Sequence, residues 1–235
     1  MAGNRGINNN SEGRLTARPG HSNVEKSFAA GIQHLELDVQ RDALLYVPQD
    51  YRADKPVSLA VLFHGAGGNA ESGLSLLEGF ADESGMLLLA PSSRRHSWDI
   101  IAYDQYGPDI NLLNQALEVV FANFNVHPER IAVGGFSDGA SYALSVGLMN
   151  GDLFSYIIAF SPGFAAPAQR IGTPEIYISH GIEDAVLPIN LCSRKIVPQL
   201  ERQGYNLQYH EFDGPHVVPF DIRQEAVDWF LEDWE

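Results

Sequence analysis

The 235-residue chain has a single cysteine, Cys192, so no internal disulfide can form and the fold does not depend on an oxidising compartment. Basic residues are scarce: 15 Lys and Arg stand against 30 Asp and Glu, a formal net charge of -15. The resulting negative potential repels phosphate backbones, so nucleic acid is not an expected partner. No apolar run reaches the ~20 residues of a bilayer span, and the stretch from Met1 to Gly6 has no signal-peptide core. A cytoplasmic location without stable membrane insertion is therefore expected. The histidines show no HExxH pairing and Cys192 has no partner at zinc-site spacing, so no metal site is expected.

What is present is 45% hydrophobic residues, enough for one sizeable core. Residues 1–30, rich in Asn, Gly, Ser and Arg, read as a largely irregular tail in which Arg14 to Arg18 is at best a short edge strand. A single domain over 31–235 is expected to follow. Leu35, Leu37 and Val39 alternate before Ala43 to Val47, predicting an antiparallel hairpin. Continuous apolar runs at Leu59–Phe63, Met86–Ala90, Ile131–Val133, Tyr156–Phe160 and Ile176–Ile178 read as strands buried on both faces. Helical patterns alternate with them at Glu71–Glu83, Asn111–Phe124, Ser141–Met149 and Ile189–Gln203. From Asp221 to Glu235, Glu225, Asp228, Glu232 and Asp233 interleave with Val227, Trp229, Phe230 and Leu231, an amphipathic helix. The expectation is an α/β fold, a mostly parallel sheet with helices on both faces.

Gly135-Phe136-Ser137-Asp138-Gly139 follows one such strand and opens a helix. That context suits a nucleophile elbow, where a tight strand-to-helix turn forces the serine out of the sheet and only glycine beside it leaves room for close-passing backbone. A helix-capping serine is the alternative. Asp184 stands just past the predicted strand 175–179, where open α/β sheets place ligands; it reads equally as a helix cap, and Glu183 could replace it as the acid. His216 lies between the strand pattern 207–212 and the last helix. The order Ser, acid, His, each after a successive strand, points to an activated serine with His216 as base.

His64-Gly65-Ala66-Gly67-Gly68 follows the strand 59–63, and its position suits an oxyanion hole with the backbone N–H groups of Ala66 and Asp138 as donors. Trp98, Asp99 and Tyr103 in the next loop either line a pocket or anchor the loop. Trp98, with Gly65, Val186 and Val217 beside the candidate catalytic residues, completes the expected substrate contacts.

On these segments, with Ser161-Pro162-Gly163, His180 to Asp184 and Gly214-Pro215-His216, the chain from about His34 onward resembles the phospholipase/carboxylesterase branch of the α/β-hydrolases, which includes acyl-protein thioesterases and is related to dienelactone hydrolases and feruloyl esterases. The resemblance implies cofactor-free hydrolysis of esters or thioesters through an acyl-enzyme on Ser137, with Asp184 and His216 as partners. Thioesterase members often carry Gln where Asp138 stands, and dienelactone hydrolases use Cys as nucleophile. A small ester is the expected substrate, neutral and either short- to medium-chain or aryl, because 161–175 is too short for a large lid and the surface is acidic. A thioesterase, lysophospholipase, serine peptidase or acyltransferase with the same triad, or a non-enzymatic binding module of this fold, are the alternatives. A monomer or homodimer is expected.

Overall fold

The computed structural model describes residues 13–20 and 28–232. Its strands are β1 (Gly31–His34), β2 (Ala43–Val47), β3 (Val57–Phe63), β4 (Leu87–Pro91), β5 (Val126–Phe136), β6 (Tyr156–Phe160), β7 (Glu175–Gly181) and β8 (Leu207–Phe212). They form one sheet in the order β1-β2-β4-β3-β5-β6-β7-β8. β2 pairs antiparallel with β1 and β4, and every other pairing is parallel. The helices are α1 (Ala70–Leu74), α2 (Glu78–Ser84), α3 (Asp99–Tyr103), α4 (Pro108–Asn123), α5 (Asp138–Met149), α6 (Ser193–Arg202) and α7 (Phe220–Leu231).

The apolar runs make two cores from one sheet, because successive side chains of a strand point to opposite faces. Leu59, Val61 and Phe63 of β3 join Leu87 and Leu89 of β4 on the face covered by α4, α5 and α6. Ala60 and Leu62, with Leu88 and Ala90, face the other way, against α1, α2 and α7. Each fully buried aliphatic side chain contributes about 1.5–3 kcal/mol, and this two-sided burial is why the strands read as unbroken apolar stretches.

Three local expectations need correction. The hairpin forms, but its first strand ends at His34: the alternating residues 35–39 lie in the connecting loop. Aspartates compete for their backbone there, since Asp42 accepts the N–H groups of Glu36 and Leu37 and Asp38 those of Gln40 and Arg41. The helix expected over 71–83 is broken into α1 and α2. Leu74, Leu76 and Leu77 are all buried, and residues two apart cannot share one helical face, so a turn brings all three inward. Residues 14–18 form no strand but pack as extended chain with Leu15 and Ala17 buried. Residues 233–235, expected in the last helix, lie outside the described residues, as do 1–12 and 21–27 of the expected tail.

Two asparagines substitute for a strand partner in that segment. Asn114 accepts the N–H groups of Thr16 and Ala17, while Asn150 accepts that of Leu15 and donates to the Gly13 carbonyl. Asn150→Ala is expected to cost about 2–4 kcal/mol, because it leaves two buried backbone groups unpaired. A urea midpoint shifted by the equivalent of less than 1 kcal/mol would mean that residues 13–17 are not held there in solution.

Candidate active site

β3, β4, β5, β7 and β8 end on one edge of the sheet, and the candidate residues all follow these C-terminal ends. Ser137, between β5 and α5, has φ 59° and ψ −121°, a conformation that costs an L-residue roughly 1–3 kcal/mol. Neighbouring backbone enforces it. A Cβ on Gly139 would overlap the Phe63 carbonyl, and one on Gly135 would lie 2.6 Å from that same oxygen, so β3 passes too close for any larger residue. The Ser137 N–H donates to the Phe160 carbonyl at 2.9 Å, which ties the turn to β6. Only 9% of the residue is exposed.

His216, on the β8–α7 loop, bridges Ser137 to Asp184 on the β7–α6 loop. Its Nε2 is 2.9 Å from Ser137 Oγ and its Nδ1 is 2.5 Å from Asp184 Oδ2. An ionised carboxylate only accepts, so Nδ1 carries the proton and Nε2 presents its lone pair to the serine hydroxyl. The Phe136 ring packs on the imidazole at 4.6 Å. Asp184 is buried, which pushes its pKa up, but the Leu187 N–H, His216 and the Val186 N–H overcome this and hold it below the ordinary carboxylate value. Glu183 is exposed and is not the residue that meets the histidine.

His180 is a further buried imidazole that touches the acid. Burial lowers its pKa and favours the neutral ring. Its Nε2 donates to the Leu187 carbonyl at 2.8 Å and lies 3.2 Å from Asp184 Oδ2, while Nδ1 accepts from the Ser193 hydroxyl at 2.7 Å. The Asp184 carboxylate is thus held on both oxygens, and its orientation toward His216 is fixed.

The Ala66 and Asp138 N–H groups take no partner among the described residues, and the two sit at the ends of adjacent strands. Gly65 brings the loop against the serine, since a Cβ there would be 3.4 Å from Ser137 Cβ. Buried His64 stiffens the loop: Nδ1 donates to the Gly65 carbonyl at 2.7 Å, and Nε2 accepts the Ser93 N–H at 3.0 Å. Burial lowers the pKa of this ring also. Such a pair of unengaged donors beside a serine–imidazole–carboxylate chain can stabilise an oxyanion while the serine attacks a carbonyl.

Val186 and Val217 are 65% and 45% exposed on the loops carrying Asp184 and His216, so they are accessible to a substrate. Trp98 is not. It is 1% exposed, stacks on Tyr142 at 4.8 Å and packs on Phe63, because its large apolar ring fills the space behind the His64 loop. Asp99 is buried as well and accepts the N–H groups of Ile100 and Gly107, so of the two readings for this stretch, loop anchoring holds for Trp98 and Asp99. Tyr103 is exposed at the end of α3, its hydroxyl accepting from Arg95 Nε. Sequence reasoning gave His180 no role of its own and passed over Ser193 and Ser97. Only the spacing of His180 four residues before Asp184 hinted at a contact; the others meet partners that no local pattern marks.

The sequence profile of the phospholipase/carboxylesterase family matches residues 107–218, the stretch that holds Ser137, Asp184 and His216. Over that stretch the chain is similar to this family of α/β-hydrolases. It is 27% identical over 158 residues to the probable feruloyl esterase C of Aspergillus oryzae, covering 64% of this chain and 57% of that protein. It is 32% identical over 141 residues to an acetylxylan esterase of Coprinopsis cinerea, covering 56% of this chain and 37% of that one. The chain therefore spans little more than half the length of the first relative and less of the second. The crystal structure of a thermostable esterase shares the fold with a TM-score of 0.70 at 22% identity, over 86% of this chain and 62% of that one. Among the described residues, no helix is long and apolar enough to cross a membrane.

Proposed function

We propose that the chain is a serine carboxylesterase that hydrolyses small carboxylic esters through an acyl-enzyme on Ser137. The observation that carries this reading is the unbroken chain from Ser137 Oγ through the His216 ring to Asp184, with contacts of 2.9 and 2.5 Å. His216 Nε2 takes the Ser137 proton as Oγ attacks the ester carbon. The carbonyl oxygen becomes an oxyanion facing the Ala66 and Asp138 N–H groups, and the imidazolium, stabilised by Asp184, protonates the departing alcohol. Water then repeats the sequence on the acyl-enzyme, releasing the acid and restoring the serine. The reaction needs no cofactor.

The surroundings support this substrate class. Residues 161–174 contain neither helix nor strand, so no helical lid forms from the β6–β7 connection. A groove of about 710 Å³, lined by Glu36, Asp38, Arg41, Asn69, Glu71 and Ser92 among others, opens beside the oxyanion loop, where Arg41 Nη1 reaches the Gly68 carbonyl at 3.4 Å. Ser137 and His216 do not line this groove. The feruloyl and acetylxylan esterase relatives support aryl and short acyl groups.

A fluorophosphonate probe is expected to label Ser137, which separates an esterase from a binding module of the same fold. Against p-nitrophenyl esters of increasing length and a feruloyl ester, turnover should be greatest for two- to four-carbon or aryl acyl groups and should fall for twelve-carbon chains. A preference for long chains, or for thioesters or amides over the matching ester, would contradict the assignment.

A further inference from the structure

The two oxyanion donors lie on different elements, Ala66 on the β3–α1 loop and Asp138 at the start of α5, and the loop itself is open: Ala66 and Gly67 are exposed and Gly67 has φ +73°. Some other part of the chain must set the distance between the two N–H groups. Three consecutive residues of the β4–α3 connection reach both sides. The His96 carbonyl accepts the Gly67 N–H at 2.6 Å, the Ser97 hydroxyl donates to Asp138 Oδ2 at 2.6 Å, and Trp98 Nε1 donates to the His64 carbonyl at 2.9 Å. Two of these bonds bracket Ala66 from either side in the chain, and the third holds the residue that carries the other donor.

The tripeptide is itself anchored away from the oxyanion loop. The Asp99 N–H next to it donates to Asp109 Oδ2 at 2.8 Å, and the Trp98 ring lies nearly parallel to Tyr142, at 13°. Ser97 and Trp98 are both buried, so the bonds they donate are shielded from competing water. The Ser97 bond is charge-assisted and short, the strong kind.

We infer that His96-Ser97-Trp98 acts as a clip that fixes the spacing of the Ala66 and Asp138 donors, with Ser97 a positioning residue for the transition state. The inference rests on the serine esterase reading above. Donors must lie about 2.7–3.1 Å from where the oxyanion forms, which differs from where the ground-state carbonyl oxygen lies, so a shifted donor weakens transition-state binding and leaves substrate binding largely intact. Ser97→Ala releases the Asp138 side of the clip without deleting either N–H. Its effect should therefore be smaller than the 100- to 1,000-fold typical of losing a whole donor.

The test compares the parent with Ser97→Ala, Asp138→Ala and the double variant. For Ser97→Ala, kcat/KM for p-nitrophenyl acetate should fall by roughly 10- to 100-fold, KM should move less than about twofold, and phenylboronic acid, which forms a tetrahedral adduct on the serine, should weaken by the same factor as kcat/KM. Asp138→Ala removes the acceptor but keeps its own N–H, so it should match Ser97→Ala, and the double variant should lose no more than either single change. Turnover of Ser97→Ala within twofold of the parent, a loss confined to KM, or singles whose effects multiply in the double variant would overturn the clip. If Ser97→Ala does not fold, as judged by its urea midpoint, Asp138→Ala on the less buried side carries the same measurements. Ser137→Ala serves as the control: if it stays active the esterase reading fails first, whereas an inactive Ser137→Ala beside an unaffected Ser97→Ala rejects only the clip.

Discussion

Ser137→Ala is expected to lower ester turnover by roughly ten-thousand- to million-fold while leaving the protein folded. The substitution deletes the attacking oxygen, and among the described residues no other hydroxyl or thiol is placed on His216 Nε2. Residual catalysis from the oxyanion donors and from substrate binding sets the floor of the loss. Stability should change by less than about 1 kcal/mol. The φ of 59° at this position is imposed by the Phe63 and Gly139 backbone and persists in the variant, and only the Oγ to Nε2 bond disappears. Turnover of p-nitrophenyl acetate and a urea melt check both halves. Activity within tenfold of the parent would remove Ser137 from the reaction.

Asp184→Asn is expected to reduce turnover by roughly ten-thousand-fold, and the reason lies in which oxygen the amide can replace. Oδ1 accepts the Val186 and Leu187 N–H groups at 2.9 and 2.7 Å, so the Asn oxygen is forced onto that side. Its NH2 then occupies the Oδ2 position, facing His216 Nδ1 and the Nε2–H of His180. A donor there demands the Nδ1 lone pair, which moves the ring proton to Nε2. The nitrogen that must accept the serine proton is then already protonated. The amide also meets the His180 N–H donor to donor, so some loss of stability should accompany the loss of rate. Glu183→Gln, one residue away and exposed, should leave kcat within about twofold. Comparable losses for both variants would show that the acid has been misassigned.

Much of the site was legible because each member follows a pattern that local chemistry enforces. The G-x-S-x-G pattern reports a steric demand: Gly135 and Gly139 pass the β3 backbone so closely that a side chain would overlap it. Asp184 and His216 were visible as polar residues placed just after apolar strand runs. The pair Glu183 and Asp184 was not separable in this way, because both follow the same strand. The loop geometry chooses between them by turning Asp184 inward, where Val186 and Leu187 cap its carboxylate.

Trp98 shows the opposite case. An aromatic residue in a loop near the active edge is compatible with a pocket wall and with a buried strut, and its sequence neighbours do not distinguish them. The cavity behind the His64 loop, walled by Phe63 and Tyr142, decides the matter. The same holds for residues 14–18, whose composition resembles a tail but whose Leu15 and Ala17 find a hydrophobic surface on the far side of the chain.

By itself, the sequence determined the alternation of strands and helices, the two-faced burial of the sheet and the order of Ser137, Asp184 and His216, because a period of two residues, a glycine and a turn are properties of neighbouring positions. Only the tertiary structure decided which carboxylate faces His216, that His180 supports it, and that Ser97 reaches Asp138 across 41 positions. Those contacts depend on how strands are ordered in the sheet and how their loops meet at its edge, and two side chains brought together from distant strands carry no shared local signal.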